Sequence, residues 1–194
     1  ETSVRAAFSL VDALQQKGYT FVTVDERLND ITVTCTAPSK TFNLAGLQVS
    51  NIFIANEELR RKFKKELDRT GYSQLNTAGL AACEAAYGKG RPWLEQLLAY
   101  LKGNLDFARE YISEKIPQIR LIEPEGTYLI WLDFRGLSLD NTQLEDLIVN
   151  KAGLWLDAGA IFGLSGEGFE RINIACPRSV LKEALERIEK AVKG

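Results

Sequence analysis

The stretch ITVTCTAPSKTFNLAGLQVSNIFIAN, residues 31–56, decides the first part of the fold. Its two ends, ITVTCT at 31–36 and LQVSNIFIA at 47–55, are rich in β-branched and aliphatic residues, which favours two strands, the second of them buried. Between them, APSKTFNLAG at 37–46 contains proline and glycine and is predicted to be irregular. The pattern therefore predicts a strand, a long turn that carries Lys40, and a second strand.

Lys40 is the first candidate functional residue. It lies in a Ser-Lys-Thr-Phe-Asn turn between the two predicted strands. Apolar neighbours and a position at a strand end can desolvate an amine and make it nucleophilic toward a carbonyl carbon. The alternative is a solvated loop lysine, since lysine side chains are mostly exposed.

Helices and strands alternate along the rest of the chain. Apolar residues at helical spacing predict helices at 4–17, 57–70, 75–87, 92–115, 140–151 and 179–193. Further strands are predicted at 21–24, 119–124, 127–134, 154–158 and 169–176, with Glu125-Gly126 as a hairpin turn. This alternation, without an internal repeat, predicts the α/β class.

Arg171 is the second candidate. Alternation along its strand places Phe169, Arg171 and Asn173 on one face and Ile172 and Ile174 on the other. An arginine fork can bind a carboxylate through two parallel hydrogen bonds, so Arg171 is a candidate for holding the acid group of a substrate. A cross-strand salt bridge explains the same position equally well.

Cysteine and tryptophan residues are predicted to serve packing rather than chemistry. Cys35 and Cys176 occupy contexts typical of buried strands, where a thiol behaves as a small apolar group. Trp93, Trp131 and Trp155 are predicted to lie in the core.

The composition excludes several classes of function. With no histidine, the chain has no Ser-His-Asp triad, Cys-His dyad or imidazole metal site. A formal net charge of -2 gives no general attraction to nucleic acid or to an anionic membrane, and no stretch approaches the roughly 18–20 apolar residues of a membrane helix. Three widely spaced cysteines argue against a disulfide framework or a metal cluster, so a reducing cytoplasm is expected.

The order of the motifs resembles one enzyme family. After residues 31–56 come LAACEAAY, PWLEQLLAYLKGN, PEGTYLIWLDFRGL, GLWLDAGAIFG and GEGFERINIACPRSVLKEALERI. Together they resemble the fold-type I pyridoxal-phosphate enzymes of the class I/II aminotransferase superfamily, and most of all its cystathionine β-lyase-like C–S lyases. The resemblance, from about residue 21 onward, implies a partial large domain of the pyridoxal-phosphate-transferase type over 1–91, which carries the lysine. A long linking helix and a small α/β C-terminal domain would follow over 92–194.

The resemblance implies roles for four residues. Lys40 would bind pyridoxal phosphate covalently and remove the proton from the substrate Cα, and Arg171 would bind the α-carboxylate. Ser39 and Thr36 would contact the cofactor phosphate. The implied reaction cleaves a small sulfur amino acid to a thiol, pyruvate and ammonia, and the implied assembly is a homodimer.

The sequence also departs from the family's pattern. Ala37 stands where some relatives have a serine, and Gln48 stands where aminotransferases have a phosphate-binding arginine. Phe8 falls where the aspartate at the pyridine nitrogen belongs, and the phosphate loop, the stacking aromatic and the asparagine at the ring oxygen have no recognisable counterpart. Three interpretations stay open: a C–S lyase, an aminotransferase that shares Lys40 and Arg171, and a non-catalytic truncated or engineered fragment.

Overall fold

The computed structural model describes residues 26–72 and 74–194, which form two compact units divided between Leu94 and Glu95. Three expectations lie outside the described residues: the helix at 4–17, the strand at 21–24 and the placement of Phe8.

The first unit is built on an antiparallel pair of strands. β1 (Val33–Thr36) pairs with β2 (Asn51–Ile54), and this register places Thr36 opposite Asn51. Both strands are shorter than predicted, because only 33–36 and 51–54 pair: β1 begins two residues later than predicted, and β2 lacks residues 47–50 and 55. A single 3-10 turn, Ala45–Leu47, interrupts the irregular connection.

Two helices follow in the first unit, and each begins at an asparagine. α1 (Glu57–Arg69) starts after Asn56, whose side chain accepts a hydrogen bond from the Leu59 amide at 2.9 Å. α2 (Thr77–Lys89) starts after Asn76 and buries small residues, which allows close packing. These buried residues are Gly79, Cys83 and Ala86.

The second unit contains a four-stranded antiparallel sheet in the order β3-β4-β6-β5. Its strands are β3 (Arg120–Ile122), β4 (Leu129–Asp133), β5 (Asp157–Ala158) and β6 (Phe169–Asn173). Its helices are α3 (Arg91–Lys115), which begins in the first unit, α4 (Asn141–Glu145), which continues as a π-helical turn over Asp146–Lys151, and α5 (Arg178–Lys193).

The core of the second unit lies on one face of this sheet. Alternate residues of the two central strands, Ile130, Leu132 and Ile172, are buried there together with apolar residues of the helices. The alternation predicted around Arg171 is thereby confirmed, since Ile172 is buried and Arg171 faces the other way, half-buried.

A buried asparagine joins α3 to the end of β6 and the start of α5. Asn104 is fully buried, and its Nδ2 donates to the carbonyl oxygens of Ile174 at 2.7 Å and Cys176 at 2.9 Å. Its Oδ1 accepts from Nε of Arg178 at 2.7 Å. Every polar atom of the amide is therefore satisfied, as a buried polar group requires.

Several packing predictions are wrong. Cys35 is exposed, since its strand has a single neighbour and no layer over its outer face. Trp155 is 90% exposed and Trp93 is 47% exposed, so neither is a core residue. The second strand of the opening stretch is only partly buried, with Ile52 exposed. The predicted strand at 154–158 shrinks to Asp157–Ala158, because only these residues pair with β6.

Candidate functional site

Lys40 lies in a compact turn of the first unit. The Phe42 amide donates to the Pro38 carbonyl at 2.9 Å, and the Leu44 amide donates to the Ser39 carbonyl at 3.0 Å. Asn43 has a φ of 56°, in the left-handed region that asparagine tolerates better than most residues. Pro38 is fully buried beneath the turn.

The Lys40 side chain is exposed and makes no ion pair with any residue that the structure describes. The desolvated environment that the neighbours suggested is not observed in this chain. The exposed amine agrees with the alternative of a solvated loop lysine. Its catalytic role stays a prediction.

The two hydroxyl candidates differ in their surroundings. Ser39 precedes the lysine and is half-buried. Thr36, the last residue of β1, is exposed.

Arg171 is held in the second unit by an acid and an aromatic ring. Its Nε and Nη2 donate to Oδ2 of Asp157 at 3.1 and 2.7 Å, across the register pair that joins β6 to β5. The guanidinium carbon lies 4.6 Å from the centroid of the Phe162 ring, in cation–π contact. Phe162 in turn meets Trp131 edge to face, with centroids 5.2 Å apart.

The cross-strand salt bridge, which was the alternative explanation from the sequence for the position of Arg171, is thus present. Its side chain is 25% exposed, against 47% for Asp157, so the pair is open to solvent on the side of the acid. A carboxylate ligand would have to share the guanidinium with Asp157 or replace it.

A cavity of about 320 Å³ borders this pair. Its lining combines the polar side chains of Arg171, Asp157 and Asn173 with apolar ones such as Trp155 and Val180. The volume is at the lower end of small-molecule sites, which span roughly 300–1,000 Å³.

Two titratable groups of the second unit are shifted toward their neutral forms: the Cys176 thiol, which lines the cavity, and the Glu170 carboxyl, on the face of β6 opposite to Arg171. Burial raises the pKa of the Cys176 thiol, which lines the cavity, so the thiol stays protonated at neutral pH. Burial, together with the charges of Glu145 and Asp157, raises the pKa of Glu170 to about 7. Cys176 therefore offers no thiolate nucleophile at the cavity.

Sequence reasoning missed three contacts of these sites. Asp157 and Phe162 around Arg171 depend on strand register and loop path, which no local pattern contains. Tyr87, whose ring meets that of Phe42 in the Lys40 turn edge to face, follows the buried Cys83 by four residues on α2. This spacing is the one sequence signal that places the two side chains on the same side of the helix.

No metal cluster is formed by the acidic and cysteine side chains of the described ranges. Among those same residues, no helix is both long and apolar enough to cross a membrane.

Comparison with known proteins gives no matching family model. Individual proteins do match. Cystathionine beta-lyase PatB of Bacillus subtilis is 41% identical over 172 residues, which cover 89% of this chain and 44% of that protein. Cystalysin from Treponema denticola, whose crystal structure contains a pyridoxal 5'-phosphate cofactor, is 42% identical with a TM-score of 0.84, over 91% of this chain and 45% of that one.

Over most of its length, the chain is similar to part of these pyridoxal-phosphate enzymes. The resemblance drawn from the motifs and the α/β fold class are both confirmed. Among the curated relatives, PatB is more similar than aspartate aminotransferase from Pyrococcus horikoshii, which is 24% identical over 168 residues. A solved structure of a putative aminotransferase from Clostridium difficile is 43% identical with a TM-score of 0.84, over 87% of this chain and 43% of that one. The chain spans less than half the length of the relatives that it matches.

Proposed function

We propose that this chain contributes the cofactor lysine and the carboxylate-binding arginine to a pyridoxal-phosphate-dependent C–S β-lyase. The reaction would cleave a small sulfur amino acid, of the cystathionine type, to a thiol, pyruvate and ammonia. The observation that carries the proposal is the similarity of the chain, 41% identical over 172 residues to a cystathionine β-lyase, together with the exposed Lys40 in its turn.

The residues of the Lys40 turn fit part of such a site. Lys40 offers an amine for the cofactor aldehyde, and the neighbouring Ser39 hydroxyl and the Thr36 hydroxyl offer hydrogen bonds to a phosphate. Neither hydroxyl carries a positive charge, and Gln48 replaces the arginine of the aminotransferases. The remaining charge compensation would come from polypeptide equivalent to the part of the relatives that this chain does not span.

Bound pyridoxal phosphate supplies an electron sink for the charge left at the substrate Cα. Lys40 would accept the Cα proton at Nζ, because an amine released from the cofactor is a base close to that carbon. Arg171 would hold the α-carboxylate through its guanidinium fork, which fixes the orientation of the Cα–H bond. Phe162 stacks on the guanidinium and restricts its rotation.

The proposed assembly is a homodimer in the cytoplasm. The small-residue helix α2 and the two-stranded ladder of the first unit both leave surface that a second copy would cover. The free state of Cys35, Cys83 and Cys176 supports a reducing compartment.

The proposal is tested by labelling the full chain with pyridoxal phosphate. The mixture is reduced with borohydride, digested and mapped by mass spectrometry, with Lys40→Arg as the matched control. We expect a visible absorbance band and a reduced label on Lys40, both lost in the control. Label spread evenly over the lysines would contradict the assignment of Lys40.

Product analysis separates lyase from aminotransferase. Release of pyruvate from cystathionine without an added keto acid supports the lyase. Turnover that depends on a keto acid supports the aminotransferase instead.

A further inference from the structure

One short segment of the second unit supplies both groups that contact Arg171. Asp157 is the residue of β5 that pairs with Arg171 across the ladder. Phe162 ends the 3-10 turn Gly159–Phe162, which follows β5 directly. The segment is held at its first end by the strand register and at its second end by the edge-to-face contact of Phe162 with Trp131.

The hydrogen bonds of Arg171 occupy only one edge of its guanidinium. Nε and Nη2 donate to the same atom, Oδ2 of Asp157, at 3.1 and 2.7 Å. An arginine carries five N–H groups, so the two on Nη1 and the second on Nη2 are left over. None of the described residues accepts a hydrogen bond from Nη1. The edge formed by Nη1 and Nη2 is the one that remains for a carboxylate, which it can bind through two parallel hydrogen bonds.

The guanidinium is held in one orientation before a ligand arrives. Phe162 covers one of its faces, at 4.6 Å from the ring centroid, and Asp157 occupies its Nε edge. A rotation of the guanidinium plane would break both contacts. Arg171 also lines the cavity of the second unit. Because its orientation is already fixed, a ligand that binds there loses less entropy in ordering the side chain.

We infer that Asp157 is the positioning residue for Arg171: it binds the Nε edge of the guanidinium and leaves the Nη1–Nη2 edge to the carboxylate of a ligand. The ligand then shares the guanidinium with Asp157 and does not replace it. This role rests on the proposed function of Arg171, and the resemblance assigns no role to Asp157.

Two variants of Asp157 separate positioning from competition for the guanidinium. Asp157→Asn and Asp157→Ala both remove the negative charge, so both relieve the repulsion of a ligand carboxylate to the same extent. Only Asp157→Asn keeps an oxygen that accepts a hydrogen bond from the Nε edge. If Asp157 positions Arg171, the asparagine variant binds a carboxylate more tightly than the alanine variant. If it competes with the ligand, the alanine variant binds at least as tightly.

Asp146→Asn and Asp146→Ala are the matched controls. Asp146 is an acid of the same unit whose side chain is 48% exposed, against 47% for Asp157, and it too forms an ion pair, with Lys151. Arg171→Lys tests whether binding needs the guanidinium, because a lysine keeps the charge and lacks the fork. The pair of Asp157 and Arg171 is open to solvent, so its loss should leave the chain folded, which equal urea midpoints would show.

The experiment titrates the full chain and each variant with butyrate at constant ionic strength. Butyrate offers one carboxylate and a short apolar chain, which matches the mixed lining of the cavity. Backbone amide shifts measured by NMR give the Kd, and n-butanol, which has no charge, is titrated in parallel. The Nε–H resonance of Arg171, identified by its loss in Arg171→Lys, reports whether the bond to Asp157 persists.

We expect Asp157→Asn to bind butyrate about fivefold more tightly than Asp157→Ala, the factor expected for one hydrogen bond. The two Asp146 variants should bind it equally. In the unmodified chain, the Nε–H resonance of Arg171 should keep its hydrogen-bonded position while butyrate binds.

The outcomes separate this role from the proposed function. Equal or tighter binding by Asp157→Ala overturns the positioning role and leaves the proposed function standing. A Nε–H resonance that leaves its bonded position as butyrate saturates the unmodified chain does the same, since Asp157 would then be displaced. No binding of butyrate, or binding that n-butanol reproduces or Arg171→Lys leaves unchanged, overturns the carboxylate role of Arg171 and this role with it.

Discussion

Replacing Asn104 by alanine removes three hydrogen bonds from the buried centre of the second unit. The carbonyls of Ile174 and Cys176 each lose a donor, and Arg178 loses the acceptor of its Nε. The two carbonyls lie next to a fully buried side chain, so water reaches them poorly once the amide is gone.

The magnitude follows from these contacts. Each lost bond costs about 1 kcal/mol, and a donor or acceptor left buried without a partner costs up to about 3 kcal/mol. Arg178 is only half-buried and can be rehydrated, so most of the loss comes from the two carbonyls. We expect the free energy of unfolding to fall by about 3 kcal/mol.

Urea unfolding followed by circular dichroism measures this loss, with the slope of the transition expected to stay constant. Asn150→Ala is the matched control, since Asn150 is exposed and makes one bond, to Asp146 at 2.8 Å. We expect a change within about 0.5 kcal/mol for it. If Asn104→Ala costs no more than this control, the amide does not hold the end of β6 to α3 and α5.

Three further changes test the second unit. Because the pKa of Glu170 is raised from 4.5 to about 7, the unfolded chain loses this proton first. The free energy of unfolding should therefore fall between pH 4.5 and 7 and level off above, and Glu170→Gln should abolish that fall in urea titrations; an equal fall in the variant would refute the shift. Gly159→Ala should cost about 2 kcal/mol by the same assay, because its methyl would collide with the Gly166 carbonyl, whereas Gly126→Ala, with open space around it, should be nearly neutral. Arg171→Ala should weaken amino-acid binding in calorimetry by about 1.5–3 kcal/mol and leave the labelling of Lys40 unchanged, and equal loss of both would make Arg171 a structural residue.

Local patterns predicted most of the helices. The ends of α1, α2, α3 and α5 were predicted within about two residues of the observed ones, because the helical spacing of apolar residues is a property of neighbouring positions. The hairpin of β3 and β4 was also predicted correctly, because its two β-rich runs and its turn are adjacent in the sequence.

Exposure and strand length were predicted less well. Trp155 was predicted to lie in the core because tryptophan is a large apolar residue. It is 90% exposed, because the strand to which it was assigned pairs with β6 over only two residues. Cys35 is exposed for a similar reason, since a ladder of β1 and β2 alone cannot cover both of its faces. The burial of a side chain depends on which helices and strands pack against it, and the residue type alone does not predict this packing.

The sequence by itself determined the α/β class, the family, and the two residues on which the proposed chemistry depends. These are local properties: a lysine between two β-rich runs, an arginine on an alternating strand, and motifs in a characteristic order. Only the tertiary structure decided that Asp157 and Phe162 contact Arg171 and that Asn104 connects α3 to the end of β6 and to the start of α5. Each of these contacts joins segments distant in the chain, and their geometry is set by register and packing.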